Sequence, residues 1–464
     1  MRKDEDFSEW YNAVLDRAEI TDKRYPIKGM NVWLPYGWAI QKRIDGFIRG
    51  EFDATGHREV NFPLLIPETE FRKEAEHVKG FEGDVFWVTR GGTDPLDVNL
   101  VLRPTSETAI YPMFAIWIRS HADLPFKVYQ IVPVFRYETK MTRALMRVRQ
   151  IHFFEAHTAH ATFDDASRQI QENLQINERL MRRFSLPYLV SKRPDWDKFP
   201  GAHYSVGVDT LMPTGRSLQV ATFHHYQDNF SKVYGVTFED DDGARKYVHQ
   251  TTDGMSERIL GGIIASLGDE RGLVLPPDVA PTQAIVIPIP EKGKQDAINR
   301  AAKDVFSDLR ESLRVEVDLR DVRPGEKFYH WEARGVPVRV EVGPRELEKG
   351  EVTLVRRDTG AKKVLSRRGL AERILPVLDL MQVEMYTRAE KTFRDNIHTI
   401  TSLDNVSDGF YRMGWCGKPA DGMAITERTG MSVLGTPWYP ESFEGTCVIC
   451  GESTRQLLYA ARAY

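Results

Sequence analysis

This chain of 464 residues has few cysteines, no long apolar run and only a small net charge. It has only three cysteines, too few for a disulfide framework, so we expect a reduced, cytoplasmic protein. No stretch is apolar for long enough to span a bilayer, and residues 1–15 lack the apolar core of a signal peptide. The net charge of −4 does not indicate a nucleic-acid binder, so any such surface has to be a local patch.

The length predicts more than one domain, because single cores stop growing well below 464 residues. Three prolines, Pro276, Pro277 and Pro281, indicate a linker. Beyond them, alternating strand and helix patterns predict a compact α/β domain with a mixed sheet, and all three cysteines follow later. We therefore expect three domains, over residues 1–282, 283–383 and 384–464.

The most informative stretch is a pair of predicted strands, Val132–Glu138 and Ile151–His160, rich in β-branched and aromatic residues. The loop between them carries four basic residues: Lys140, Arg143, Arg147 and Arg149. Arg136 and Glu138 lie two apart, so they should share one face of the strand. This pattern predicts a clamp for a polyphosphate, and the alternative is a hairpin with a solvated charged tip.

Periodicity and turn residues predict the other main elements. Helices are expected over Phe7–Ala18, from Pro35 to about Gly56, and over Phe163–Phe184, Gln295–Leu313 and Arg368–Met381. Strands are expected over Gly56–Pro63, and three of them within Phe199–Phe230. A further strand, beginning at His249, should turn at Gly254 into a helix that carries Arg258.

Three smaller groups of polar residues also indicate sites. Thr105 and Glu107 flank Ser106 and could accept hydrogen bonds from a small ammonium group, although a capping box that starts a helix is an alternative. The histidine pairs His157/His160 and His224/His225 lack the cysteine or carboxylate neighbours of zinc sites. We therefore expect the histidines to pack or to contact substrate.

The third group is a candidate zinc site in the last domain. Cys447 and Cys450 form a Cys-x-x-Cys turn, and Cys416 lies upstream. No fourth cysteine or histidine is at hand, so Asp421 is the best candidate for the fourth ligand. The alternative is three unligated thiols.

Taken in order, the pieces GHREVNFP, LRPTSET, FRYE with its basic loop, EAHTAH, LQVATFH and TTDGMSERILGG resemble the three signature motifs of the class II aminoacyl-tRNA synthetases. The detail is most similar to prolyl-tRNA synthetases of the archaeal and eukaryotic-like type. GVPVRVEVGPRE in the second domain and the cysteine-bearing tail also match that type, so the resemblance covers nearly the whole chain.

The resemblance implies a fold and an activity. The fold would be an α+β catalytic domain around an antiparallel sheet, an α/β anticodon-binding domain and a small α+β zinc-binding C-terminal domain. The activity would be proline–tRNA ligation, with L-proline, ATP and tRNA(Pro) as substrates, Mg²⁺ beside ATP and a structural Zn²⁺. The chain would form a homodimer with Pro63 at the interface, and Tyr464 would point its carboxylate toward the catalytic domain.

The resemblance also assigns roles to individual residues. Proline would be bound by Thr105, Glu107, Arg136, Phe153, His157, His224 and Ser256. ATP would be bound by Arg136, Glu138, Arg147, Gln219, Thr222 and Arg258, of which Arg136 and Arg258 are the catalytic residues. The anticodon would be read by Glu332, Arg345 and Glu346, and zinc would be held by Cys416, Asp421, Cys447 and Cys450.

The chain departs from the family pattern at three positions. An aromatic residue that would stack on adenine is expected near Ile151, and the usual Ser-Trp-Gly of the third motif is Thr252-Asp253-Gly254. The third departure is Asp421, which stands where relatives have a fourth cysteine. These changes leave open which residue stacks on the base and how fully zinc is bound.

Two other functions remain to be separated from this one. Another synthetase of the same subclass, such as the threonyl or glycyl enzyme, is the nearer alternative, and a non-charging paralogue is the other. Retention of the motif arginines argues against the paralogue. The spacing between the second and third motifs leaves no room for an inserted editing domain, so alanine and cysteine should be misactivated.

Overall fold

The computed structural model describes residues 2–73, 83–404 and 406–464. Among those residues, no helix combines the length and the apolar character needed to cross a bilayer. The helices are α1 Phe7–Arg17, α2 Pro35–Ala54, α3 Glu68–Phe71, α4 Glu107–Trp117, α5 Phe163–Arg183, α6 Asn229–Tyr234, α7 Arg258–Leu267, α8 Gln295–Leu309, α9 Pro324–Ala333, α10 Pro344–Lys349, α11 Leu370–Asp395 and α12 Pro419–Thr429.

Most strands are short and lie in one of two large sheets. They are β1 Thr21–Asp22, β2 Val32–Trp33, β3 Arg58–Glu59, β4 Leu65–Pro67, β5 Phe86–Gly91, β6 Asp94–Leu102, β7 Phe126–Phe135, β8 Gln150–His160, β9 Leu189–Lys192, β10 Tyr204–Leu211, β11 Ser217–Gln227, β12 Thr237–Glu239, β13 Arg245–Tyr247, β14 His249–Ser256, β15 Ala284–Pro288, β16 Val315–Val317, β17 Val338–Val342, β18 Glu351–Arg356, β19 Lys362–Ser366, β20 Ile397–Ile400, β21 Phe410–Gly414, β22 Ser432–Pro437, β23 Gly445–Thr446, β24 Ser453–Thr454 and β25 Leu457–Ala461.

The main sheet contains eleven of the described strands, in the order β20-β21-β25-β22-β9-β10-β11-β14-β8-β7-β3. Neighbours are antiparallel except at the two ends, where β3 and β20 run parallel to their partners. Helix α2 buries an apolar stripe at Ile40, Ile44, Ile48 and Phe52, residues four apart on one helical face. That stripe joins α1, α5 and α7 in the largest apolar core, which confirms the predicted antiparallel catalytic fold.

The second sheet has the order β16-β15-β17-β18-β19 and belongs to the region after the proline linker. Strands β16, β15 and β17 are parallel, whereas β18 and β19 are antiparallel to their neighbours. Helices α8 and α11 cover it with residues such as Val305, Leu309 and Ile374. The predicted α/β domain with a mixed sheet is confirmed.

The cysteine-bearing region extends the main sheet with β20, β21, β22 and β25, and its β23 and β24 form a separate two-stranded sheet. Strand β22 pairs with β9 at Thr436 and Lys192, and the Arg193 Nη1 donates to the Leu434 carbonyl oxygen at 2.8 Å. The helix expected to end at Met381 continues to Asp395. The domain boundary predicted at residue 383 therefore falls inside α11, and the three-way division of the chain stays a prediction.

Other local predictions are wrong in detail. The stretch Phe199–Phe230 contains two strands, β10 and β11, instead of three, because residues 229–234 form helix α6. Gly254 does not turn the chain but lies inside β14, where a Cβ would approach the Phe153 ring to 3.0 Å. The strand expected over Gly56–Pro63 pairs only at Arg58–Glu59.

Candidate active site

A cavity of about 660 Å³ opens on one face of the main sheet, over β8, β14 and β11. Cross-strand partners share a face, and the register aligns the predicted residues there. His157 pairs with Thr252, which pairs in turn with His224. Phe153 pairs with Ser256 on the same face. Residues from three separate sequence motifs therefore line one cavity.

One part of the cavity is built around Glu107, the first residue of α4, which is only 1% exposed. The Thr105 hydroxyl donates to one oxygen of this carboxylate, and the Tyr226 hydroxyl donates to Oε1 at 2.7 Å. Ser106 occupies the N-cap position but makes no side-chain cap hydrogen bond, so the capping-box alternative is excluded. The buried carboxylate leaves a pocket suited to a small cation.

Glu155, on β8, hydrogen-bonds to this loop through Ser106, a role that no sequence motif predicts. It accepts hydrogen bonds from the Ser106 hydroxyl, from the Ser106 backbone N–H at 3.2 Å and from Gln130 Nε2 at 2.9 Å. Its Oε2 lies 3.1 Å from His157 Nε2. Burial raises the pKa of Glu155, but the interactions with His157, Ser106 and Gln130 outweigh burial and lower it overall. The available signal was a carboxylate directly after the two phenylalanines of β8, Phe153 and Phe154.

Three arginines, Arg136, Arg147 and Arg258, line another part of the cavity. Burial lowers the pKa of Arg136. Burial also lowers the pKa of Arg258 to about 10, and the charges of Arg136 and Arg147 contribute in the same direction. The charges of Arg136 and Arg147 thus repel that of Arg258, and a bound polyphosphate would relieve this repulsion, so the three arginines suit an anion.

Glu138 also lines the cavity, although the reason given from sequence was wrong. Strand β7 ends at Phe135, so Glu138 lies beyond the strand, where Arg147 Nη1 donates to its Oε2 at 3.2 Å. Tyr464 enters the same region. Arg147 Nη2 donates to a Tyr464 main-chain oxygen at 3.1 Å, and Arg143 donates to the Tyr464 hydroxyl. The C-terminal tyrosine thus contacts the basic loop, as the resemblance implied.

His224 lines the cavity, whereas His157, predicted to contact proline, is fully buried and is not among the residues that line it. His224 Nδ1 lies 2.8 Å from the Ser205 hydroxyl, and its ring stacks on Phe199. Burial lowers the pKa of His224 to about 3, so this ring is neutral near pH 7. His157 Nδ1 lies 3.2 Å from the Tyr111 hydroxyl. The His224 ring is therefore a fixed part of the cavity wall, and the His157 ring is held behind it by Tyr111 and Glu155.

Gln219 and Thr222, on β11, line the cavity as well. Asp209 pairs with Gln219 across β10 and β11 and accepts from Arg193 Nη2 at 2.7 Å. Burial raises the pKa of Asp209, and Arg193 opposes that shift. Neither Asp209 nor Arg193 was predicted, although a carboxylate within the apolar run VGVDTL was a usable signal.

The three predicted anticodon residues lie on helices beside the second sheet, Glu332 at the end of α9 and Arg345 and Glu346 on α10. Glu332 accepts from Arg339 Nη1 at 2.8 Å near the start of β17. Glu346 accepts from the Thr353 hydroxyl at 3.1 Å on β18, the strand that pairs with β17. Both carboxylates are therefore held against the same pair of strands.

The four predicted zinc ligands do come together. One donor atom from each of Cys416, Asp421, Cys447 and Cys450 lies within 4.8 Å of the others. The Asp421 Oδ2 lies 3.1 Å from Cys416 Sγ and 3.4 Å from Cys447 Sγ. Those separations are close to the edges of a tetrahedron around Zn²⁺ with bonds of about 2.0–2.3 Å. The donor set therefore fits zinc.

A second, apolar cavity of about 550 Å³ lies beside Pro63. We call it the apolar groove, and its walls include Phe62, Pro63, Leu65, Met113 and Trp117. Leu65 is 37% exposed and Trp117 is 40% exposed. An exposed apolar concavity of this kind is typical of a protein–protein contact.

Three parts of the chain match known domain models. Residues 86–267 match the tRNA synthetase class II core domain (G, H, P, S and T), residues 283–375 match the anticodon-binding domain, and residues 401–464 match the C-terminal domain of prolyl-tRNA synthetase. Together with the antiparallel sheet and its arginine-lined cavity, these matches define the class, the class II aminoacyl-tRNA synthetases.

Whole-chain relatives narrow the class further. The chain is 52% identical to the proline–tRNA ligase of Pyrococcus abyssi and 53% identical to that of Pyrococcus horikoshii, across 100% of this chain and 99% of each relative. A solved structure of Giardia lamblia prolyl-tRNA synthetase in complex with prolyl-adenylate is 33% identical with a TM-score of 0.96, covering 100% of this chain and 99% of that one. The chain belongs to the prolyl-tRNA synthetase family.

Proposed function

We propose that this protein is a proline–tRNA ligase that activates L-proline with ATP and transfers it to the 3′ end of tRNA(Pro). The observation that carries the proposal is a single cavity that holds a buried carboxylate, Glu107, and a cluster of three arginines. A zwitterionic amino acid that reacts with a nucleotide needs a carboxylate for its ammonium group and arginines for its own carboxylate and for the phosphates. The test is ATP–pyrophosphate exchange with each amino acid: proline should support it, and Arg136→Ala should reduce it at least 100-fold.

The activation step requires positioning more than acid–base chemistry. A carboxylate oxygen of proline attacks the α-phosphorus, and the bond to the pyrophosphate leaving group breaks as the new P–O bond forms. No general base is required, because the attacking carboxylate is already ionised. A ribose hydroxyl of the tRNA end then attacks the acyl carbon, and AMP leaves.

Each part of the cavity takes one part of the substrates. Thr105 and Glu107 would hold the proline ammonium, while the ring would lie among Phe153, His157, His224 and Ser256. Arg136 would bind the carboxylate and the α-phosphate, with Glu138 at the adenine edge. Arg147 and Arg258 would neutralise the outer phosphates. Charge-assisted hydrogen bonds from arginine are the strongest available to phosphate oxygens.

The nucleotide side also offers ligands to Mg²⁺, which would supply further neutralisation of phosphate charge. Gln219 and Thr222 lie on that side, and the Asp209 carboxylate neighbours Gln219 across the strands. Amide, hydroxyl and carboxylate oxygens are the donors that Mg²⁺ prefers. The residues present therefore fit the ion.

For tRNA(Pro), we propose that Glu332, Arg345 and Glu346 discriminate the two guanines shared by proline anticodons. Carboxylates accept from the N1–H and the amino group of guanine, and arginine donates to O6 and N7. The support is their place on α9 and α10, the helices that flank β17 in the region that matches the anticodon-binding domain.

We propose that Cys416, Asp421, Cys447 and Cys450 bind one structural Zn²⁺. Four protein ligands would complete a tetrahedral shell and leave no open position for a substrate. The reduced thiols also fit a cytoplasmic location. We propose that residues 1–282, 283–383 and 384–464 form the catalytic, anticodon-binding and zinc-binding units. Helix α11 spans the boundary between the second unit and the third.

We also propose a homodimer in which the apolar groove receives the same region of a second copy. Burial of Leu65 and Trp117 would remove two of the larger exposed apolar side chains from water. Sedimentation of the protein and of Trp117→Asp tests this idea. The native chain should be dimeric and the variant largely monomeric, and an unchanged sedimentation coefficient in the variant would exclude the groove as the interface.

The last part of the proposal concerns errors. Residues 161–248, all described, fold into α5, α6 and strands β9–β13 around the catalytic sheet. Since one methylene gives only about 1–3 kcal/mol of discrimination, alanine and cysteine should be activated measurably, and their mischarged tRNAs should persist. Incubation with preformed Ala-tRNA(Pro) tests this, and rapid enzyme-dependent release of alanine would contradict it.

A further inference from the structure

Gln130 is fully buried on β7 and has no role in the proposed chemistry so far. Its Oε1 accepts from the Phe62 backbone N–H at 3.0 Å. Its Nε2 donates to Glu155 Oε1 at 2.9 Å and to the Ser106 hydroxyl at 3.1 Å. One amide group therefore joins the wall of the apolar groove to the base of the loop that carries Thr105 and Glu107.

A second buried side chain fastens the same two segments. Arg103 Nη1 donates to the Phe62 carbonyl oxygen at 2.9 Å, and the Arg103 backbone N–H donates to the Leu64 carbonyl oxygen at 3.2 Å. Arg103 precedes Thr105 by only two residues. The loop that carries Thr105 and Glu107, which we call the ammonium loop, and the Phe62–Leu64 wall of the apolar groove are thus joined in one hydrogen-bonded layer. The active-site cavity lies on one side of this layer and the apolar groove on the other.

The chemistry at position 130 is restrictive. The side chain has to accept from a backbone N–H and donate to both a carboxylate and a hydroxyl, and an amide does so with its separate oxygen and NH₂ group. Glu155 in turn holds Ser106 through both the backbone and the hydroxyl. Loss of the Gln130 donor would remove one of the two hydrogen bonds to Glu155 Oε1 and leave the other to Ser106, which lies directly between Thr105 and Glu107.

We propose that Gln130 is a positioning residue for proline binding: by orienting Glu155 and Ser106 against the groove wall, it fixes the loop that holds the substrate ammonium group. This inference builds on the proposed function. Its consequence is selective, because the ammonium loop contacts proline, whereas Arg147 and Arg258, which would bind the outer phosphates of ATP, lie on other segments. Arg136 would bind both substrates and donates to the Pro104 carbonyl oxygen at 3.3 Å. Proline affinity should therefore depend on Gln130 much more than ATP affinity does.

The experiment measures KM for proline and for ATP in pyrophosphate exchange from pH 6 to pH 9. Gln130→Met keeps the size and removes the hydrogen bonds, so KM for proline should rise at least tenfold while KM for ATP stays within twofold. Gln130→Glu places two carboxylates in one buried site, where they share a proton at low pH. Its KM for proline should approach the native value at pH 6 and climb steeply with pH.

The control is Gln169→Met, which alters an equally buried glutamine that bonds Glu172 and Asn173 on α5. It should leave both KM values unchanged. Parallel changes in the two KM values of Gln130→Met, or a Gln130→Glu profile that follows the native enzyme with pH, would overturn the proposal. If Gln130→Met does not fold, the Gln130→Glu pH profile alone decides. Absence of proline-dependent exchange in the native protein would instead refute the proposed function.

Discussion

Replacement of Glu107 by glutamine tests the proposed ammonium site directly. Glu107 is 1% exposed, and Thr105 and Tyr226 donate to its two oxygens. Glu107→Gln keeps the size of the side chain and removes the negative charge that would face the substrate. Loss of one partner of a buried ion pair costs about 3–5 kcal/mol. At about 1.4 kcal/mol per factor of ten, kcat/KM for proline should fall by roughly 100- to 4000-fold.

The assay is pyrophosphate exchange, with proline and ATP varied in turn. Tyr226→Phe is the graded control, because it keeps the carboxylate and removes one hydrogen bond to a charged group, a loss of about 1.5–3 kcal/mol. It should reduce kcat/KM for proline less than Glu107→Gln does. The assignment is refuted if Glu107→Gln retains proline kcat/KM within tenfold of native, or if KM for ATP rises as much as KM for proline.

Three further predictions concern other parts of the molecule. Elemental analysis should find one zinc per chain in the native protein. The Cys450→Ala variant should contain no zinc and should unfold at a lower Tm, and native protein without zinc would refute the site. Glu332→Gln should slow aminoacylation at least tenfold and leave pyrophosphate exchange unchanged, whereas equal losses would mean misfolding. Burial raises the pKa of Glu257 from 4.5 to about 7. The folded chain therefore binds that proton more tightly than the unfolded chain. The stability it contributes is fully present below pH 4.5 and is lost, at about 1.4 kcal/mol per pH unit, as pH rises to 7. Urea unfolding of Glu257→Gln should lack that slope, and an unchanged slope would contradict the assignment.

Sequence was most informative where a residue's role follows from its own motif. The period of two along strands places Thr222 with His224 and Phe153 with His157, and the structure brings Thr222, His224 and Phe153 to the cavity, whereas His157 is buried outside its lining. The four zinc ligands are likewise predicted by a short Cys-x-x-Cys turn and a nearby carboxylate.

Sequence was least informative where burial depends on pairing between distant strands. Glu155 and Gln130 face each other only because β7 and β8 pair in one register. The local pattern predicts a turn at Gly254, because it cannot show that the Phe153 ring packs against this residue and leaves no room for a side chain. The pairing of β22 with β9 joins residues more than 240 positions apart and leaves no local signal.

That last pairing limits how this protein can be divided or recombined. Without residues 384–464, β9 would become a bare edge strand, and Leu189 would lose the apolar cluster it shares with Phe393, Phe410 and Leu434. Unprotected edges recruit strands from other molecules, so a catalytic fragment expressed alone should aggregate. A chimaera that joined this tail to another synthetase core would fail for the same reason, unless the recipient supplied a matching strand. Evolution can therefore exchange the tail only together with the strand it covers.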